Sequence, residues 1–177
     1  MESIQFHQVE NETQKAQAGI LIREYLEWLN EHIQRDYDLE FDVDAMVQSD
    51  LSDPHKFHPP HGRFYLANYN NQIAGVGCLK QLDNEMAEIQ RMFVSPAFRG
   101  KGIGRAIAQR LIEDARAIGY RTLKLESLEF LDAAHTLYRS LGFQDIAPYA
   151  DNSMKSYQAA EQLDQYFTIT VFMEMNL

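Results

Sequence analysis

Apolar residues recur along this chain with two different spacings, and the spacings predict its elements. Ile20, Leu21, Tyr25, Trp28 and Leu29 fall at helical intervals and predict a helix over 16–33. A shorter helix is expected over 44–51. Apolar-rich runs predict strands over 4–9, 63–69, 72–82 and 86–94, with Asn70-Asn71 joining the second and third as a hairpin, since asparagine tolerates φ > 0. Ile103, Ile107, Leu111, Ala115 and Ile118 form one stripe of a helix over 102–118, which Gly119 ends. Residues 122–127 read as a strand. Asp132 is placed to cap a helix running to Leu141, closed by Gly142 with Phe143 packed behind it. The run 167–175 reads as a closing strand. Strands and helices interleave, which predicts a mixed α/β domain.

The length of 177 residues fits one domain with a sizeable core. No apolar run approaches the roughly 20 residues that span a bilayer. The first residues, MESIQFHQVENETQ, lack a basic-then-apolar leader pattern, so a cytoplasmic location is expected. The single cysteine, Cys78, forms no internal disulfide and reads as a buried structural thiol.

Charge narrows the partners. The net charge of −10 argues against nucleic acid, which calls for a basic face. It slightly favours a cationic partner. The charge is uneven, however: Arg99, Lys101, Arg105, Arg110, Arg116, Arg121 and Lys124 meet only Glu113 and Asp114 over 99–124, a local excess of +5. Part of that excess surrounds Arg99-Gly100-Lys101-Gly102-Ile103-Gly104, where a strand-like run gives way to a helix-like one. Closely spaced glycines let backbone N–H groups approach a ligand, and a helix start adds unpaired donors, so this corner suits a phosphate.

The glycine spacing separates three phosphate sites. A P-loop string is absent. A dinucleotide fingerprint departs at its third glycine, occupied by Arg105, and Pro96 lies between the strand and the glycines, although Glu126 ends the next strand at a suitable distance. Arg99-x-x-Gly102-x-Gly104 after Val94-Ser95-Pro96 resembles motif A of the GCN5-related N-acetyltransferase (GNAT) family. Ala87-Glu88-Ile89 and Ala134-x-x-Leu137-Tyr138-x-x-x-Gly142-Phe143 are similar to further patterns of that family. Together they cover 75–143, with weaker similarity at Pro148-Tyr149 and Val171-Phe172-Met173-Glu174.

The resemblance implies one GNAT domain over 1–177, with a mixed, mostly antiparallel central sheet flanked by helices. It also implies an acyltransferase that moves the acetyl group of its co-substrate acetyl-CoA to a primary amine, with no metal. The backbone of Met92, Phe93 and Val94 would pair with the pantetheine arm. The backbone of Arg99, Gly100, Lys101, Gly102, Ile103, Gly104 and Arg105 would hold the pyrophosphate. Tyr138 would donate a proton to the CoA sulfur, although periodicity alone makes it a core tyrosine beside Ala134, Leu137 and Leu141. Glu88 would be the general base, and strand alternation places Glu88, Gln90, Met92 and Val94 on one face. Leu131 stands where many relatives have an asparagine that contacts CoA. Homodimers are frequent in the family, though no residue here demands one.

Other residues weigh less. His55, His58 and His61 lie in a loop over 52–62 whose prolines prevent a helix from aligning them as metal ligands. That loop is expected near the substrate entrance. His135 reads as a surface residue. The stretch 149–166 is expected to hold a short helix and to shape the acceptor pocket. The acceptor classes favoured by charge are a polyamine, an aminoglycoside or a lysine side chain. A non-catalytic acyl-CoA-binding regulatory module is the alternative to the enzyme, and a dinucleotide oxidoreductase the more distant one.

Overall fold

A capping box starts the first long helix well before its apolar stripe: the Asn11 side chain accepts from the Gln14 N–H, and the Gln14 side chain accepts from the Asn11 N–H. In the computed structural model, which describes residues 3–149, 153–157 and 159–177, this helix (α1) runs over Glu12–Tyr37, longer at both ends than periodicity predicts. It follows β1 (Ile4–Gln8) and precedes α2 (Val43–Ser52). Next come β2 (Arg63–Tyr69), β3 (Gln72–Gln81) and β4 (Met86–Val94). Asn70 and Asn71, at φ 49 and 65, make the expected turn between β2 and β3.

A 3-10 turn at Pro96–Phe98 leads to α3 (Ile103–Ile118), β5 (Thr122–Leu128) and α4 (Asp132–Ser140). Asp132 does not cap α4: it is the first helical residue, and Leu131 takes the cap position without a side-chain bond. The chain ends with β6 (Gln144–Ile146), α5 (Ala160–Thr168) and β7 (Thr170–Asn176). The closing strand therefore starts later than its apolar run suggests, because Phe167 belongs to α5. The stretch 149–166 does carry a helix, and β6 is too short for an apolar pattern to reveal.

The strands form one sheet in the order β1-β2-β3-β4-β5-β7-β6. Neighbours are antiparallel except β4 and β5, which run parallel. Both faces of the sheet are covered. On one, Leu26, Ile33, Phe64, Leu66 and Phe93 pack beneath α1, α2 and α5; on the other, Tyr65, Ala67, Ile89 and Leu123 pack against Ile107 and Leu111 of α3. This explains why β2 reads as a continuous apolar run (Phe64-Tyr65-Leu66-Ala67) rather than an alternating one. The helix α3 lies close enough that a Cβ on Gly77 would stand 2.3 Å from Ile107, so only glycine fits there. Among the described residues no helix is long and apolar enough to cross a membrane.

Two irregularities in β4 open the middle of the sheet and reset the faces of the strand. Its pairing with β5 covers only Met86–Glu88 against Thr122–Lys124, after which the strands part and leave a gap in the sheet. Its pairing with β3 shifts register by one between Val76 and Cys78, a β-bulge in which Arg91 takes the left-handed conformation at φ 54. The bulge corrects the alternation expected for this strand. Ala87 and Ile89 pack on the α3 face, and after the extra residue Met92 joins that same face while Phe93 joins the α1 face. Glu88 and Gln90 thus do not share a face with Met92 and Val94.

Candidate active site

Where β4 and β5 separate, a cleft of about 530 Å³ passes between the two faces of the sheet. Its walls include Ile89–Val94 of β4, Leu125–Leu128 of β5, the glycine corner, and residues of α1, α4 and α5.

The α3 side is built largely from backbone. Gly100 and Gly102 hold φ 77 and 76, conformations that side-chain-bearing residues rarely adopt, and a Cβ on either would meet no atom within 4 Å. The space over them is open. Gly102 caps α3 without a side-chain bond, so the N–H groups of Ile103, Gly104 and Arg105 begin the helix uncapped beside that space. From Ile89 onward the edge of β4 that faces β5 has no strand partner, which suits an extended ligand bearing amide groups.

The predicted donor-binding residues gather here, with two exceptions among side chains. Met92, Phe93, Val94, Arg99, Gly100, Gly102, Ile103 and Gly104 all line the cleft. Arg99 donates from Nε to the Val94 carbonyl (3.2 Å) and lies over the Trp28 ring. The other two predicted residues, Lys101 and Arg105, flank the corner with their side chains engaged elsewhere. Lys101 Nζ sits 5.1 Å over the Tyr69 ring, and Arg105 donates to Ser140 Oγ at 2.8 Å.

Tyr138 of α4 reaches the same gap. It is 6% exposed, lines the cleft and packs edge-on against Phe143. Among the described residues its hydroxyl has no hydrogen-bond partner, unlike that of Tyr65, which donates to Asp114. Burial holds the Tyr138 pKa far above the ordinary phenol value, so it remains a proton donor at neutral pH. Behind it, His135 is a buried residue and not the surface one expected: it is 4% exposed with Nε2 3.1 Å from Ser127 Oγ. The amphipathic spacing of α4 carries His135 inward on the same side as Tyr138.

The α1 side is built from side chains. Tyr25, Phe41, Met46, Met154 and Tyr166 line it, together with Arg91 and the half-buried Glu126. Tyr25 stacks on Phe93 with 5.4 Å between ring centres. Burial pushes its pKa up to about 12; nearby Arg91 works against that rise and Glu126 adds to it. Arg91 is anchored from behind: Nε donates to Asp50 Oδ2 at 2.5 Å and Nη2 to Asp50 Oδ1 at 3.3 Å. Lys56 donates to Asp50 Oδ1 at 2.6 Å, so one fully buried carboxylate serves two cations. The loop 52–62 therefore supports the cleft through Lys56 and contributes no wall residue.

Glu88 lies beneath the cleft, not on its wall. It is fully buried, and its carboxylate accepts hydrogen bonds from Gln90 Nε2 and from the Tyr149 hydroxyl at 2.5 Å. Gln90 stands between it and the cleft. Sequence spacing presents Glu126 only as a ribose ligand and misses Tyr25, Arg91 and Asp50, which carry no local motif. Among the described residues no group of three or more His, Cys, Asp or Glu stands in metal-binding geometry.

Comparison with known proteins agrees with this layout. The family model described as the acetyltransferase (GNAT) family matches residues 20–143. The uncharacterised N-acetyltransferase YsnE of Bacillus subtilis is 38% identical over 98 residues, 54% of this chain and 65% of that protein. The chain spans between 41% and 65% of the length of the first four curated relatives it matches. Among solved structures, an acetyltransferase from Streptococcus agalactiae superposes with TM-score 0.70 at 19% identity over 98% of both chains. The PaiA N-acetyltransferase from Thermoplasma acidophilum, solved with coenzyme A, superposes with TM-score 0.69 at 15% identity over 99% of both. At such identities these two share the fold.

Proposed function

The chain belongs to the GNAT acetyltransferase family, and from that premise we propose that residues 1–177 act as one domain that transfers the acetyl group of acetyl-CoA to a primary amine. The observation that carries this reading is the gap between β4 and β5. It joins a backbone-lined corner suited to an anion to a buried phenol that has no hydrogen-bond partner among the described residues. The corner fits a pyrophosphate by charge and by open volume, and the free edge of β4 fits a pantetheine arm.

Acetyl-CoA supplies an acyl carbon joined to a thiol leaving group. The N–H groups of Ile103, Gly104 and Arg105, with Arg99 and Lys101 nearby, bind its phosphates and fix the reacting carbon at the gap. The Tyr138 hydroxyl gives its proton to the departing sulfur. Glu126, on the wall opposite Gln90, takes the proton released by the attacking amine. Glu88 is a positioning residue in this scheme: it holds Gln90 and Tyr149 in place from beneath.

The test is thiol release from acetyl-CoA with a panel of amines, which also separates the enzyme from a non-catalytic acyl-CoA-binding module. Replacing Tyr138 with Phe is expected to lower turnover about 100-fold while acetyl-CoA affinity stays within about twofold. An unaltered rate removes Tyr138 from the mechanism.

A further inference from the structure

We propose that the acceptor is a free amino acid with an apolar side chain, its carboxylate held by Arg91 and Tyr25 while its amine faces Glu126; this rests on the acetyltransferase reading above. The first observation is the guanidinium. Its side chain is 10% exposed, and Nε and Nη2 are spent on Asp50. Nη1 has no hydrogen-bond partner among the described residues, and Arg91 lines the cleft. That donor opens on the cleft and carries positive charge, so an anionic group there can take a charge-assisted hydrogen bond from it.

Asp50 does not cancel this positive charge. Its two oxygens are shared between Arg91 and Lys56, so the buried cluster of three carries a net +1. Arg91 sits at the bulge in a left-handed conformation that a side-chain-bearing residue keeps only where surrounding contacts maintain it. The Tyr25 hydroxyl likewise lacks a partner among the described residues, and it lies within electrostatic reach of both Arg91 and Glu126. Arg91 and Tyr25 thus offer two donors to one carboxylate, and the Glu126 carboxylate, whose two oxygens can accept several hydrogen bonds at once, lines the same cleft where an ammonium would sit. Positive and negative groups in one cleft match a zwitterion, not a polycation. Phe41, Met46 and Tyr166 leave apolar surface for the remaining side chain.

The chain's net charge of −10 favours a cationic acceptor, but that charge is summed over the whole surface. The two charges beside the acceptor decide recognition, because they act at short range and partly out of water.

The experiment follows thiol release from acetyl-CoA with matched acceptors: phenylalanine, phenylalaninamide and phenethylamine, the methionine and leucine equivalents, and spermidine. Each amino acid is expected to exceed its amide and its decarboxylated amine by about 10-fold or more in kcat/KM. Tyr25→Phe, which leaves the Asp50 cluster whole, is expected to raise KM for the amino acid about fivefold and for the amine about twofold or less. Arg91→Gln is expected to lower kcat/KM for the amino acid about 100-fold, with a far smaller loss for the amine. Spermidine or a decarboxylated amine outperforming the amino acids overturns the proposal. So do variants that weaken acid and amine equally. If no acceptor releases thiol while acetyl-CoA still raises the melting midpoint, the acetyltransferase reading itself falls, and the proposal with it.

Discussion

On the α3 side of the sheet the cleft is made largely of backbone supplied by one short stretch, from Met92 to Gly104, with Tyr138 of α4 beside it. On the α1 side it is made of side chains drawn from distant segments: Tyr25 and Met46 from helices, Phe41 from a loop, Arg91 and Glu126 from strands, Tyr166 from α5. The donor that the first side would hold is chemically constant, so a short motif of glycines and a helix start is enough to bind it. The second side must suit one acceptor, and side chains from many elements can each change without disturbing the others. The two halves should therefore fail in different ways when altered.

The largest expected effect lies beneath the side-chain half. Asp50→Ala leaves Lys56 and Arg91 buried without their shared carboxylate, a loss of about 3–5 kcal/mol in urea unfolding. Acetyl-CoA affinity per folded molecule is expected to hold, since the glycine corner rests on α3. A parallel loss of donor binding would show that the two halves are not separable. Gly102→Ala probes the backbone half. Its left-handed φ of 76 costs alanine about 1–2 kcal/mol, and acetyl-CoA affinity by calorimetry is expected to fall about 10-fold. The acceptor KM at saturating acetyl-CoA should stay put.

The smallest effect concerns His135, on the inward side of α4. Burial lowers its pKa below the ordinary 6.5, so the unfolded chain binds a proton more readily than the folded one. This group's stabilisation is complete at pH values above 6.5 and declines as the pH falls through the unfolded pKa. The thermal midpoint should drop on acidification below that value, and less so in His135→Gln. A midpoint with the same acid dependence in both proteins would remove His135 as the cause.

The same division governs what the residues alone can reveal. The glycine corner is legible because Gly100, Gly102 and the start of α3 are adjacent in sequence, so its backbone geometry follows from a local pattern. Most element positions are legible too, since the stripes of α1 and α3 and the Asn70-Asn71 turn are local patterns. Arg91 is not. Its importance comes from Asp50, 41 positions away, and from a one-residue register shift that no pattern along β4 announces. Glu88 falls at the expected distance along the strand. Its burial beneath Gln90 and Tyr149 depends on how the C-terminal segment returns to the sheet.

The bulge also has a mechanical consequence. Arg91 and Met92 are consecutive, so the group that would grip the acceptor and the track that would guide the donor are tied by one peptide unit, about 3.8 Å from Cα to Cα. Packing of the helices on either side does not set that separation. The spacing between those two backbone anchor points is set by covalent geometry, like the fixed throw of a crankshaft.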